Sequence, residues 1–294
     1  MSPATLAGAL VDGRYRVLGL IGAGSASEVF EVEHVGIGRR LAMKVLRPHL
    51  AGDAKQLERL HREARAAALI AHPGLVEVLD MGELSGGLPY LLLERLDGTD
   101  LQRTLESLTR PMGVARALSI AHQLASALAA AHVAGIVHRD VKPANVFLSP
   151  DHLGGDRVTL LDLGVALWTE AARRAAGQSR LTTTGVVIGT PLYMSPEQLW
   201  ADRELDGKSD VWSLGVVLFE MLVGKPPFEE RGMATLAQQI ALGRVPSPRS
   251  LRPDVPAAVE RLLLRMLRKE PERRPTAADL TIDLAAEHHG TSKP

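Results

Sequence analysis

The chain has no cysteine in its 294 residues. Disulfides, thiolate metal sites and a thiol nucleophile are therefore excluded. The absence fits a reducing compartment, and a cytoplasmic location is expected. Net charge is also lacking, because 34 basic residues meet 34 acidic ones. No global field draws nucleic acid or an anionic membrane to the surface, so neither is expected as a partner. The N-terminus, Met-Ser-Pro-Ala-Thr-Leu-Ala-Gly, has no basic segment followed by an apolar run, so it does not read as a signal peptide. One segment lacks Asp, Glu, Lys and Arg, from Ala117 to Val137. About 18 such residues could cross a bilayer. Ser119, His122, Gln123, Ser126 and His132 interrupt it, which favours a buried amphipathic helix and no membrane span within these residues.

What is present is ordinary for a globular protein: 46% hydrophobic and 23% charged residues, enough chain for one large domain or two lobes. Residues 14–47 alternate apolar and polar with β-branched bias and predict three antiparallel strands with Gly-containing turns. Residues 53–71 have helical spacing, and His72-Pro-Gly ends that helix. Two more strands are expected at 75–80 and 88–94. After Asp97-Gly98 the texture turns helical, at about 101–108, 114–134, 209–223, 233–242, 256–268 and 276–287. The stretch 168–185 has no clear period and reads as a loop. The chain thus divides into an N-terminal extension 1–13, a β-rich lobe 14–95, a mainly helical lobe 96–285 and a tail 286–294, an α+β architecture with no internal repeat.

The densest chemistry lies in Val137-His-Arg-Asp-Val-Lys-Pro-Ala-Asn-Val-Phe147, with Asp-Leu-Gly following at 162–164. Asp140, Lys142 and Asn145 put an acid, a cation and a carboxamide at fixed offsets in one loop. Phosphoryl transfer from a Mg-nucleotide needs such a set: a carboxylate for the hydroxyl proton, a cation for the phosphoryl oxygens, and an amide oxygen with a second carboxylate for Mg²⁺. Upstream, Ile21-Gly-Ala-Gly-Ser-Ala-Ser-Glu-Val29 continues as a strand. A dinucleotide-binding loop would run into a helix instead, so this one reads as a hairpin whose backbone amides can close over phosphates. Downstream come Gly189-Thr-Pro-Leu-Tyr-Met-Ser-Pro-Glu197, Asp210-Val-Trp-Ser-Leu-Gly215 and Pro271-Glu-Arg-Arg-Pro275.

In this order, from about Tyr15 to Asp283, these motifs resemble the eukaryotic-type Ser/Thr protein kinases, particularly those of bacteria. The resemblance implies a bilobal kinase fold and transfer of the γ-phosphoryl of ATP, with Mg²⁺, to Ser or Thr hydroxyls of proteins. It implies that Asp140 is the base, that Lys142 neutralises the γ-phosphoryl, and that Asn145 and Asp162 hold Mg²⁺. Because the transition state is loose, orientation of the hydroxyl matters more than base strength. His138 is a rival base, but the resemblance makes it a packed structural residue. Lys44 would bind the α/β-phosphates, oriented by Glu63, with Glu58 the alternative partner. Ile21, Gly22 and Gly24 belong to the phosphate-covering hairpin. Val29, Ala42 and Phe147 would sandwich the adenine, Leu93 would gate the pocket, and backbone groups of Glu94 and Leu96 would meet the base edge. Thr190 would contact Asp140 and Lys142 in the peptide-docking segment, Glu197 would pair with Arg274, and Asp210 would anchor the catalytic loop.

Two departures stand out. Ser27 occupies the place of the usual third glycine, where a Cβ narrows the backbone's options. Leu163 replaces a common Phe. Arg139 would bind a phosphate on the loop between Asp162 and Glu197, which makes Thr182, Thr183 and Thr184 candidates for autophosphorylation. Arg173, Arg174 and Arg180 could instead make that loop a docking site. Bacterial relatives often pair through their small lobes, so a homodimer through the N-lobe is a further expectation. The alternatives are a pseudokinase that binds nucleotide without transfer, which the presence of Lys44, Asp140 and Asp162 argues against, and a small-molecule phosphotransferase, which Lys142 and the docking segment argue against.

Overall fold

The computed structural model describes residues 6–24, 27–48, 64, 70–85, 87–152, 154–162, 167–168, 191–200, 205–229 and 232–291. They fall into two units. The first holds the described residues up to Ala71, Leu75–Asp97 and Asp162; the second holds His72–Gly74, Gly98–Leu161 and the described residues from Leu167 onward.

The first unit is one antiparallel sheet of β1 (Leu10–Val11), β2 (Tyr15–Ala23), β3 (Ser27–His34), β4 (Arg39–Leu46), β5 (Val78–Leu84) and β6 (Leu88–Glu94), in the spatial order β1-β2-β3-β4-β6-β5. The alternation in the sequence explains it. In β2, Tyr15 and Val17 turn inward while Arg16 faces water, and in β3 Phe30 and Val32 turn inward. The central β4 and β6 are buried along nearly their whole length, as strands covered on both faces must be. Bulges between Val17 and Gly19 and between Leu20 and Gly22 interrupt the β2–β3 ladder just before the glycine-rich turn.

Residues 6–11 are more than an extension. β1 pairs with β2 through Leu10–Arg16 and Val11–Tyr15. Gly8 donates its N–H to the Val17 carbonyl at 2.8 Å, and the Val17 N–H returns to Ala9 at 2.9 Å. Leu6 and Val11 enter the same core as Phe30, Met43 and Tyr90. The segment 53–71, expected to be helical and carrying Glu63, lies outside the described residues except for the helical Ala64 and residues 70–71.

In the second unit, α1 (Leu101–Ser107) and α2 (Val114–Val133) come first, then β8 (Ile136–Val137), a 3-10 turn (Pro143–Asn145), β9 (Val146–Pro150) and β10 (Asp156–Leu160). β9 pairs with β10 and, on its other edge, with β7 (Thr99–Asp100). Gly98 makes that second pairing fit: its φ is +146°, and a Cβ there would sit 2.0 Å from the Leu148 carbonyl oxygen. β8 pairs with β11 (Leu167–Trp168). The later helices are α3 (Pro196–Trp200), α4 (Gly207–Val223), α5 (Met233–Leu242), α6 (Pro248–Leu251), α7 (Ala257–Met266) and α8 (Ala277–Thr291).

Helix α2, whose one charged residue of the Asp/Glu/Lys/Arg set is Arg116 in its first turn, is long and apolar enough to cross a membrane by length and composition. In this fold it buries Leu118, Ile120, Leu124 and Leu128 and packs against α4, α8 and β10. Helix α4 is buried almost all round, the pattern of a central core helix. Asp206 caps its start by accepting the Lys208 N–H at 2.9 Å, and Gly224, with φ +84°, ends it.

Candidate active site

The loop after β8 is built around Asp210, a wholly buried residue in the first turn of α4. Its Oδ2 accepts the His138 N–H at 2.9 Å and its Oδ1 the Arg139 N–H at 2.7 Å. His132, in the last turn of α2, adds its Nε2 to Oδ2 at 2.7 Å. Burial pushes the Asp210 carboxyl up, but the hydrogen bond and charge of His132, with His138 and the Arg139 N–H, outweigh it and hold the group below the ordinary aspartate value. The ionised carboxylate is then the acceptor for all three donors.

Arg139 has φ +67° and Asp162 φ +57°, left-handed conformations that cost a non-glycine residue about 1–3 kcal/mol and persist only where surroundings enforce them. His138 is buried. Its Nδ1 accepts the Asp140 N–H at 3.2 Å, so its proton sits on Nε2, which donates to the Leu161 carbonyl at 2.9 Å. Both ring nitrogens serve the backbone, the structural role rather than that of a base.

Asp140, Lys142 and Asn145 come together on this loop. Lys142 Nζ reaches Asp140 Oδ2 at 2.7 Å. Asn145 Nδ2 donates to the Asp140 carbonyl at 2.8 Å and to Oδ2 at 3.0 Å. Two donors on one oxygen fix the carboxylate, and the Nδ2 bonds fix the amide's orientation in turn. The 3-10 turn that carries Asn145 begins at a proline, and the Asn145 carbonyl accepts the Leu161 N–H at 2.8 Å, so β10 ends against this turn. Phe147 follows in β9, opposite Thr159.

In the first unit, Lys44 on β4 is buried, and its Nζ meets Asp162 Oδ1 at 2.5 Å. Ala42 and Val29 lie on neighbouring strands, Val29 opposite Lys44 and Ala42 opposite Leu93. Gly22 pairs with Val29 in the β2–β3 ladder, and Ile21 beside it is exposed. The Gly24 N–H closes the turn on the Ser27 carbonyl at 2.8 Å, and Arg47 Nε donates to the Gly24 carbonyl at 2.9 Å. Ser27 is not among the non-glycine residues with positive φ, so its Cβ is tolerated in this hairpin. At the connector, the Glu94 N–H is already bonded to the Glu77 carbonyl at 3.0 Å, and Arg95 reaches the Leu96 carbonyl.

The donor set fits Mg²⁺. A carboxylate oxygen from Asp162 and an amide oxygen from Asn145 are the hard ligands this ion takes, and it keeps several waters beside them. Among the described residues no group of three His, Cys, Asp or Glu side chains could hold a metal by itself.

The described part of the 189–197 segment, from Pro191 to Glu197, is tied to α4. Tyr193 donates to Glu220 Oε2 at 2.8 Å, and Ser213 Oγ to the Tyr193 carbonyl at 2.7 Å. Arg274, wholly buried, grips Glu197 with two bonds of 2.6 and 2.9 Å. Thr190, Leu163 and Thr182–Thr184 lie outside the described residues, as does Glu63. Three contributors were not foreseen as such: His132, read only as a polar interruption, Arg47 and Gln198. Their partners are backbone atoms or side chains distant in sequence, and no local pattern marks them.

This fold, with a curled antiparallel sheet in one unit and a helical second unit bearing the Asp-Lys-Asn loop, defines a protein kinase. The family description "Protein kinase domain" matches residues 15–283, and the chain belongs to that family. It is similar to the Myxococcus xanthus serine/threonine-protein kinase pkn3 (38% identical over 268 residues, covering 90% of this chain and 48% of the relative). It is also similar to Bacillus subtilis PrkC (35% over 280 residues, 95% and 41%) and Mycobacterium tuberculosis PknB (39% over 282 residues, 94% and 43%), both serine/threonine-protein kinases. The chain therefore spans less than half the length of these relatives. Among solved structures it matches the Mycobacterium tuberculosis PknI kinase domain with a TM-score of 0.71 and 27% identity, covering 96% of this chain and 98% of that one.

Proposed function

We propose that the chain is a serine/threonine protein kinase that transfers the γ-phosphoryl of Mg-ATP to Ser or Thr hydroxyls of protein substrates. The single observation that carries the reading is the bonding of Asp140 to Lys142 and Asn145 on a loop anchored by buried Asp210. In this reading Asp140 orients the acceptor hydroxyl and takes its proton as the new O–P bond forms and the bond from the γ-phosphorus to the bridging oxygen breaks, releasing ADP. Lys142 stabilises the charge on the transferred group. Lys44 holds the α- and β-phosphates, the hairpin of Ile21, Gly22 and Gly24 covers them, and Val29, Ala42 and Phe147 flank the adenine. Leu96 N–H and a backbone group of Glu94 meet the base edge. Bound Mg²⁺, held by Asn145 and Asp162, would neutralise phosphate charge. Glu63 orients Lys44, and Thr190 favours Ser and Thr acceptors. Thr182–Thr184 are the proposed autophosphorylation sites. Cytoplasmic action, and self-pairing through the β-rich unit with its exposed Leu10 and Ile37, complete the proposal.

The test is the intact mass of the purified protein after incubation with ATP and Mg²⁺, beside Asp140→Asn. Mass steps of one phosphate in the wild type alone are expected, with fragments mapping to Thr182–Thr184. No step in the wild type, with nucleotide still bound, would favour a pseudokinase. Phosphate found only outside Thr182–Thr184 would remove the loop assignment.

A further inference from the structure

We infer that Gln198 is a positioning residue for Asp140, joining the segment that would dock the acceptor protein to the loop that carries the base. The inference rests on the role given to Asp140 above. It begins with the peptide unit between Arg139 and Asp140. That unit has two polar groups, and side chains hold both. The Asp140 N–H goes to His138 Nδ1 at 3.2 Å. The Arg139 carbonyl accepts from Gln198 Nε2 at 2.9 Å. The other end of the same amide, Oε1, accepts the Ser195 N–H at 2.9 Å, and the Ser195 hydroxyl accepts the Gln198 N–H at 3.4 Å.

A primary amide is a neutral side-chain group that can donate at one atom and accept at another. Gln198 uses both functions, one on each segment. The need for it follows from Arg139. Its left-handed φ is sparsely populated, so neighbours must hold the residue there. Asp210 holds its N–H and Gln198 its carbonyl. Without the second hold the peptide plane can rock about its anchored end, and Asp140 is the next residue along. A base acts only within about 2.6–3.2 Å of the proton it takes, so a small tilt costs transfer rate more than nucleotide affinity.

The test compares wild type, Asp140→Asn, Gln198→Leu and Gln198→Glu in radiolabel transfer from Mg-ATP to casein, with melting temperatures recorded. Leucine removes both bonds. Glutamate keeps the acceptor for Ser195 N–H but sets an oxygen against the Arg139 carbonyl. We expect kcat to fall about tenfold or more in both variants at pH 8, with KM for ATP and melting temperature near wild type. The Glu variant should regain activity relative to wild type as pH falls towards 5, because the carbonyl oxygen facing it raises the carboxyl's proton affinity and the protonated form can donate again, and the Leu variant should not. Wild-type turnover in Gln198→Leu would overturn the inference. So would full activity of Gln198→Glu at pH 8, or a loss that follows a lowered melting temperature with no pH response in the Glu variant. Absence of transfer in the wild type would instead overturn the reading of Asp140 itself, before Gln198 is reached.

Discussion

Asp210 holds the backbone N–H of Arg139 at 2.7 Å from inside a helix that begins nearly 70 residues further along the chain. The carboxylate is wholly buried, and with His132 and the His138 N–H it collects three donors. Asp210→Asn keeps the shape but turns one acceptor into a donor facing donors. Loss of about 3–5 kcal/mol is expected, as for other buried charges stripped of a partner, together with loss of phosphoryl transfer. The pH dependence follows from the depressed folded-state value, reached because His132 and the backbone bonds overcome burial. A depressed carboxyl contributes stability above its unfolded value, about 3.9, and that contribution disappears as pH falls through the folded value. Urea midpoints of wild type and Asp210→Asn should therefore differ most at pH 7 and converge below about pH 4. A gap that stays constant into acid would contradict the assignment.

The Glu197–Arg274 pair ties the first helical turn after the Pro191–Ser195 segment to the C-terminal part of the same unit. Burial raises the Glu197 carboxyl, but the hydrogen bonds and charge of Arg274, with the Glu197 backbone N–H and the Ser209 hydroxyl, together outweigh it and hold the group below its ordinary value. Glu197→Gln leaves the buried guanidinium uncompensated, and a loss of about 3–5 kcal/mol is expected in urea unfolding. Arg274→Lys should fail as well, since a point charge cannot replace the two-pronged contact. Wild-type stability in either variant would show the pair to be dispensable.

The strap of residues 6–12 lies before the family match, yet it belongs to the first unit's core. Removing residues 1–12 strips Leu6 and Val11 from that core, takes Asp12 from the Tyr90 hydroxyl and opens the edge of β2. At about 1.5–3 kcal/mol for each buried aliphatic side chain, a loss of up to roughly 6 kcal/mol in the β-rich unit is expected. Hydrogen exchange resolved to β2 and β3 measures it. Unchanged protection there would mean that the strap adds nothing.

The strands of 14–47 were legible because alternation reports directly which face is buried, and Asp140, Lys142 and Asn145 were legible because they share one short loop. Phe30 and Val32 in β3 follow from the pattern; the continuous burial of β4 from Leu41 to Leu46 does not, because alternation predicts one wet face. The strap was not legible: Leu6-Ala-Gly-Ala-Leu-Val11 is too short to show a period, and its burial depends on a groove made by other strands. The short strands β7, β8 and β11 escaped for a similar reason, each being two residues long and fixed by its partner rather than by propensity. His132 and Gln198 act on groups 78 and 59 residues away, a distance that local spacing does not encode. Gly98 could be read as a boundary in the sequence, but only the packing shows why the residue must be glycine, with Leu148 where its Cβ would be.

The most direct measurement is transfer by Asp140→Asn against wild type, with ATP affinity determined on the same preparations by calorimetry. Asn145 and Lys142 hold the Asp140 side chain through Oδ2, so an amide in its place keeps much of the shape but cannot take a proton. The expected result is ATP affinity near wild type and transfer reduced by about two orders of magnitude or more, the contribution typical of a positioned base. Lys44→Met, in the same assay, should weaken ATP binding instead. Transfer by Asp140→Asn at the wild-type rate would contradict the central claim.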